Sequence, residues 1–558
     1  MPVRLLSLLL AVTLLAGCAG NAATSPAAPL LPTASPTPIP TAAVFLPTTP
    51  ASAASPASPL HLWLENVPDG LRRQIRPTDA IQLAGSPGAA NLRLAPAQTG
   101  QTSVSAWVYA VAAPFPTLVE EIRLQDVRNA WQGQAVETFG GKPLLVSEDT
   151  RAVLETLLGP ANSNGVQTVP AADLLETAWQ QRPSWAILPF DALQPRWKVL
   201  RLDGQSPFDK NFNPDTYPLV ARFALAGDAP DQDALAQVIP ATNRDPSRLT
   251  VLSMTGVTAL VRALAAKMDA QGMTYPAKEI RSWLADADLT HISNEVSFNA
   301  RCPTPNPGQR TLQFCSDPKT IELLEYVGTD IVELSGNHIC DYGCKPLLYT
   351  LDLYRQRHWE FYAAGENLEK ARQPITVEHN GNKLAFIGCN PAGPAHVWAT
   401  DQRPGVADCD YKWMEEQIRS LRQDGYLPIA TFQYFESYDP RPLPQHRRDF
   451  EAIAAAGAVI VSGSQSHIPQ AMNFYGDDQF IHYGLGNLFF DQMGVTTVNG
   501  VRLTTTRNGF IDRHIFYDGR YLGTELLTTR LEDYALLRPM TNEERNELLA
   551  SIFKASGW

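Results

Sequence analysis

The residues best placed to do chemistry are Asn337 and His338, within the run Glu333-Leu334-Ser335-Gly336-Asn337-His338, which Asp341, Tyr342 and Gly343 follow. An amide oxygen beside an imidazole at the carboxyl end of a strand can ligate a divalent cation and hydrogen-bond a reacting oxygen. Open α/β sheets gather their ligands at that end. A lone Gly-Asn-His triplet is also ordinary turn chemistry. Here other polar groups accompany it in order: Asn294-Glu295 before, then Gln433-Tyr434-Phe435-Glu436, Gly463-Ser464-Gln465-Ser466-His467 and Tyr483 to Asp491. His338 and Asn337 are the catalytic candidates.

The elements that must position these residues alternate between strand and helix. Strands are expected at 249–254, 289–292, 331–334, 383–388, 428–432, 458–461 and 480–483, with helical patterns at 259–271, 277–285, 318–326, 346–356, 411–423 and 445–456. Continuous apolar runs such as Ala458-Val459-Ile460-Val461 indicate a sheet covered on both faces. Thr541-Asn542-Glu543-Glu544 has the spacing of a capping box and predicts a closing helix within a helical tail, 531–558.

That ordered series resembles the CapA family of poly-γ-glutamate capsule-synthesis proteins, whose fold is that of the calcineurin-like metallophosphatases. The resemblance spans roughly residues 249–530, giving a CapA-like region at 248–530. It implies a four-layer α/β/β/α sandwich with ligands on loops after successive strands. In such folds two cations bridge a phosphate and activate water. The match is damaged at the ligands. The family's Gly-Asp is Gly256-Val257 here, with Arg262 following in register, and valine cannot ligate. The acid survives at Glu295, and the Asn-His pair as Asn337-His338. Histidines are exchanged for Gln433 and Gln465, while Glu436 and His467 are retained. The resemblance thus implies Glu295, Asn337 and His467 as the candidate metal ligands, with Gln433, Glu436, Gln465, Asp341 and Arg262 lining the same cleft. Neutral amides compete poorly with water for a transition metal. The expectation is therefore one weakly held divalent cation (Mn²⁺, Mg²⁺ or Zn²⁺) or none, with enzymatic activity undecided.

Residues 61–240 alternate short strand-like runs (104–111, 143–146, 185–189, 198–202) with helical ones (117–133, 152–158, 170–181), which implies a smaller α/β module. Pro114-Phe115-Pro116-Thr117 leading into Val127–Gly133, and Trp185–Phe190 followed by Leu202-Asp203-Gly204 and Tyr217-Pro218-Leu219, resemble periplasmic solute-binding proteins of the phosphate-binding type. The module is short for a bilobal receptor. Prolines at 230, 240 and 246 mark a boundary before residue 248.

The chain opens with one arginine, a short apolar run and Leu15-Ala16-Gly17-Cys18. The run is shorter than the roughly 20 residues of a membrane span and has the form of a secretory signal. Cysteine after Leu-Ala-Gly resembles a bacterial lipobox, so residues 1–18 are expected to be a lipoprotein signal with Cys18 lipidated. The alternative is an ordinary signal with a chance cysteine. Residues 19–60 carry no charge and are rich in Ala, Pro, Ser and Thr. They have little to bury against their ordering entropy and read as a disordered tether.

Of the seven cysteines, the six after Cys18 are even in number, which in an exported chain points to disulfides. Proximity favours Cys302–Cys315, Cys340–Cys344 and Cys389–Cys409. Zinc is the weaker alternative because no CxxC pair occurs. A net charge of −12 argues against nucleic acid, which needs a basic face. The reading is an exported protein, lipid-anchored at the outer face of the cell membrane. Its expected partner, implied by the resemblance, is an anionic extracellular polymer or its synthesis machinery. The alternatives are a metal-dependent phosphoesterase at the envelope, and a solute- or glycan-binding lipoprotein.

Overall fold

Short β-branched and aromatic runs build three large sheets. The computed structural model describes residues 59–227, 232–497 and 499–558. The signal, Cys18 and the tether as far as residue 58 lie outside the described residues. The expected tether, 19–60, overlaps the first strand by one residue, because Leu60 already opens Leu60–Leu64.

The first sheet has nine strands from residues 60–227. Its long strand Ser105–Pro114 lies antiparallel to Trp185–Pro189, Trp197–Val199 and Val220–Gly227. The expected helix over 117–133 is interrupted. Glu121–Ile122 pairs with Arg201–Leu202, and the helix spans only Leu124–Trp131. Gly85 and Gly88 sit on an exposed surface turn. The hydrophobic core of this region continues into Leu249, Val251, Ile515, Tyr517 and Leu522. Residues 58–558 thus form one compact unit.

Two further sheets carry the candidate site. In one, Leu249–Thr258, Leu289–Asn294, Ile331–Glu333 and Glu360–Tyr362 run parallel. Three antiparallel strands extend it, Asn508–Tyr517, Arg520–Glu532 and Leu536–Pro539. In the other, Asn382–Cys389, Leu427–Gln433, Ile460–Ser464 and Gln479–His482 are parallel, flanked by antiparallel Ile375–His379 and Met472–Tyr475. Leu252, Met254, Tyr362, Phe386, Ile429 and Phe510 pack between the two sheets.

Helices cover the outer faces. Leu264, Leu324 and Leu351 pack on the seven-stranded sheet, and Met414, Ile418, Phe450 and Ile453 on the six-stranded one. The result is the expected α/β/β/α sandwich. Local signals set the helix ends: Asp410 accepts the Trp413 N–H at 3.1 Å to start Tyr411–Gln423. Thr541 and Glu544 form the capping box of Asn542–Ser556. The tail is helical only from Asn542, since its first residues complete the strands ending at Glu532 and Pro539.

Candidate functional site

Five parallel strands end at the same side of the sandwich, and each contributes a loop. Glu295 follows Leu289–Asn294, Asn337 and His338 follow Ile331–Glu333, Gln433 ends Leu427–Gln433, and Gln465 and His467 follow Ile460–Ser464. Val257 lies near the end of Leu249–Thr258. The loops approach so closely that side chains are excluded from some positions. A Cβ on Gly336 would stand 2.3 Å from the Glu295 carbonyl oxygen, and one on Gly256 2.0 Å from that of Gly486. Both contacts are closer than any real Cβ makes, which explains glycine at each position.

At the centre lies the amide of Gln433, fully buried. Its Oε1 accepts the Ser464 hydroxyl at 2.7 Å, which turns its Nε2 toward the other loops. That nitrogen donates to Glu295 Oε1 at 3.2 Å, to Asn337 Oδ1 at 3.3 Å and to Gln465 Oε1. Glu295, Asn337, Gln433 and Gln465 therefore share one hydrogen-bonded cluster. Glu295 Oε2 is buried and accepts no hydrogen bond.

His338 stands beside this cluster. Its Nδ1 is 2.6 Å from Asp341 Oδ2, and the same oxygen accepts the Phe314 N–H at 2.7 Å. Burial works to lower the His338 pKa, but the Asp341 hydrogen bond and the charges of Glu295 and Asp341 outweigh it, so the pKa is raised. Two disulfides hold the segments that meet here, Cys302–Cys315 and Cys340–Cys344, with Cα separations of 5.8 and 4.5 Å. The third expected bridge, Cys389–Cys409, is also formed.

His467 Nδ1 donates to Asn487 Oδ1 at 2.9 Å. A stack joins it to His338: the His467 ring is 5.3 Å from Phe490, the Arg262 guanidinium lies 5.0 Å from Phe490 and 4.8 Å from Phe314, and Phe314 is 4.6 Å from His338. Asp491 fixes Arg262, bonding Nε at 3.1 Å and the Ala263 N–H at 2.8 Å. Arg262, Gln465 and His467 all adopt left-handed backbone, with φ of 47°, 79° and 54°. Non-glycine residues hold that conformation at a cost of order 1–3 kcal/mol each, and only where surroundings enforce it.

Glu436 is placed on the exposed rim, where it accepts the Tyr438 hydroxyl. Tyr438 and Phe314 carry no sequence-based expectation, and Ser464 and Phe490 lie within the quoted motifs without an assigned role. Burial, then Glu436, raise the Tyr438 pKa, and the Glu295 charge also contributes. Asn487 and Asp491 lay in the Tyr483–Asp491 motif without an assigned role. Asp288 accepts the Val251 N–H and pairs with Lys210 at 2.6 Å, at the end of its strand opposite the site. His291, His446 and His514 are buried, and burial above all lowers their pKa values to about 3, 3 and 4. These three are core groups.

The donor set does not fit a two-cation centre. A nitrogen carrying protons occupies the space among the ligand oxygens, and N–H groups repel a cation. Among the described residues, no three His, Cys, Asp or Glu side chains are grouped to hold a metal. One carboxylate supplies the only formal negative charge in the central cluster.

Residues 223–492 match the family model for "Bacterial capsule synthesis protein PGA_cap". The chain is 24% identical over 266 residues to the capsule biosynthesis protein CapA of Bacillus anthracis, covering 46% of this chain and 63% of that protein. It is 24% identical over 184 residues to the PGA biosynthesis protein CapA of Bacillus subtilis, covering 33% and 48%. It thus spans less than two thirds of either relative. Among solved structures, the calcineurin-like phosphoesterase YfkN of Bacillus subtilis aligns with 55% of this chain and 99% of its own, at 13% identity and TM-score 0.32. An ABC-type phosphate transport receptor from Vibrio cholerae aligns with 28% and 78%, at 17% identity and TM-score 0.24.

Proposed function

From the premise that residues 223–492 are a CapA-like domain, we propose that the protein acts at the cell envelope in the synthesis, anchoring or export of an extracellular anionic polymer such as poly-γ-glutamate. The observation that carries the mechanistic part is the Gln433 amide within the ligand oxygens. On this reading the site is a degenerate metal centre, converted to a neutral hydrogen-bonding cleft. Arg262, His338 and the amides offer donors to carboxylates of the polymer. Three disulfides support an oxidising location, and Cys18 would be the lipid anchor.

The experiment is genetic and chemical. Deleting the gene should lower the amount of cell-associated acidic polymer, and the wild-type gene should restore it. Restoration by a protein carrying both Arg262→Met and His338→Ala would contradict the proposed use of the cleft.

A second reading has one observation in its favour. The His338–Asp341 pair, with the His338 pKa raised, is suited to deliver a proton to a leaving oxygen. A phosphoesterase would then show turnover of phosphate esters in assays with Mn²⁺, Mg²⁺ or Zn²⁺ that His338→Ala abolishes. Absence of turnover with all three cations would remove this reading.

A further inference from the structure

A separate cavity of about 220 Å³ lies between the first sheet's region and the antiparallel strands Asn508–Tyr517 and Arg520–Glu532, closed by the last helix. Four cationic side chains line it, Lys198, Arg201, Arg513 and Arg545, against two carboxylates, Glu120 and Glu525. Glu120 is shared by Lys198 and Arg545. Arg201 has its own partner in Asp209, at 2.6 Å. Arg513 is the least satisfied: its contact with Glu525 is 3.7 Å, and its buried Nε has no hydrogen-bond partner.

Cations clustered away from water are costly unless countercharge compensates them. The cost shows in the groups themselves. Burial lowers the Lys198 pKa to about 8 despite Glu120, with Arg545 adding to the depression. The remaining wall is apolar, formed by Phe115, Phe208, Trp283 and Leu527 among others. Ligand pockets for drug-sized molecules run to about 300–1,000 Å³, so this one suits something smaller.

We propose that this cavity binds a small amphipathic anion, an anionic head facing Arg513 and Lys198 and an apolar body against the aromatic wall. The head offsets the excess of cations that line the cavity. The site is distinct from the cleft at Gln433 and does not depend on what that cleft does. Because its wall is drawn from both regions, an occupant also fastens the first region to the sandwich.

The test is calorimetric titration of the purified protein with phenyl phosphate, benzoate, inorganic phosphate and benzyl alcohol. Saturable binding of phenyl phosphate or benzoate, with inorganic phosphate and benzyl alcohol much weaker, is the expected result, and the tighter of the two identifies the head group. Arg513→Met should weaken that binding by roughly tenfold or more, since a buried charge contact is removed. Arg201→Met, at a more exposed position, is the second variant should the first fold poorly, and it should weaken binding in the same direction. No binding of either aromatic anion, or binding unchanged in a folded variant, would overturn the proposal. Inorganic phosphate binding as tightly as phenyl phosphate would overturn the apolar half of it.

Discussion

The side-chain nitrogen of Gln433 lies 3.2 Å from the Glu295 carboxylate, joining two loops 138 residues apart in sequence. It stands at a position where the CapA resemblance calls for histidine. A histidine there would offer a lone pair toward a shared cation, whereas this amide offers protons toward the oxygens. On the proposed reading, this amide acts with Val257 and Gln465 to turn a cation-binding centre into one that holds cations poorly.

Removing that amide should strand its acceptors. Gln433→Leu leaves Glu295 Oε1 without its donor, and buried polar atoms left unpaired cost about 1–3 kcal/mol. The urea unfolding midpoint should fall accordingly. Adding Glu295→Gln to Gln433→Leu should recover part of the loss, because a neutral amide is cheaper to bury than a carboxylate. An unchanged midpoint in Gln433→Leu would show that the network contributes nothing.

Much of this arrangement was legible in the sequence, for a physical reason. The parallel strands are covered on both faces and so read as continuous apolar runs, and their ends locate the loops. The disulfide partners followed from proximity along the chain, and Thr541–Glu544 from capping geometry. The antiparallel extension was not legible. Asp512, His514, Thr524 and Thr529 are buried along its strands, which breaks the expected polar–apolar pattern. A usable signal was present: Asp518-Gly519, with φ of 53° and 72°, joins Asn508–Tyr517 to Arg520–Glu532. Asp-Gly between two strand-forming runs is a strong hairpin cue. The aromatic–guanidinium stack was hidden for another reason. Phe314 and Phe490 resemble core residues until the fold brings Arg262 between them.

Glu333 should make stability depend on pH. It is buried, and burial, offset in part by hydrogen bonds from Ser293 and Ser335 and reinforced by the Glu295 charge, raises its pKa from 4.5 to about 7. Between those values the folded state keeps a proton that the unfolded state has released. Stability from this group is thus full below about pH 4.5, falls as pH rises toward 7, and levels off above it. The span corresponds to roughly 3 kcal/mol. Glu333→Gln should flatten that slope in unfolding curves measured from pH 4 to 8. An identical slope in variant and parent would rule out Glu333 as its source.

All three disulfides should be recovered as cross-linked peptides by mass spectrometry of non-reduced digests. Replacing Cys340 and Cys344 with serine frees the loop that holds Asp341. The His338 ring resonances, followed by NMR, should then titrate at lower pH than in the parent as the Asp341 hydrogen bond weakens. Free thiols at 340 and 344 in the native protein would contradict the bridge.

Cys18 tests the proposed location. Cys18→Ser should release the protein from membranes or block its processing, as read by fractionation and immunoblotting. Unchanged membrane attachment in that variant would reject the lipid anchor.

The central claim is that an amide has taken the place of a cation, and metal titration tests it most directly. The purified natural protein should bind Mn²⁺ and Zn²⁺ weakly and below one equivalent. The combined variant Val257→Asp, Gln433→His and Gln465→His restores one carboxylate and two imidazoles and should gain affinity by orders of magnitude. Tight binding of two equivalents by the natural protein would contradict the account.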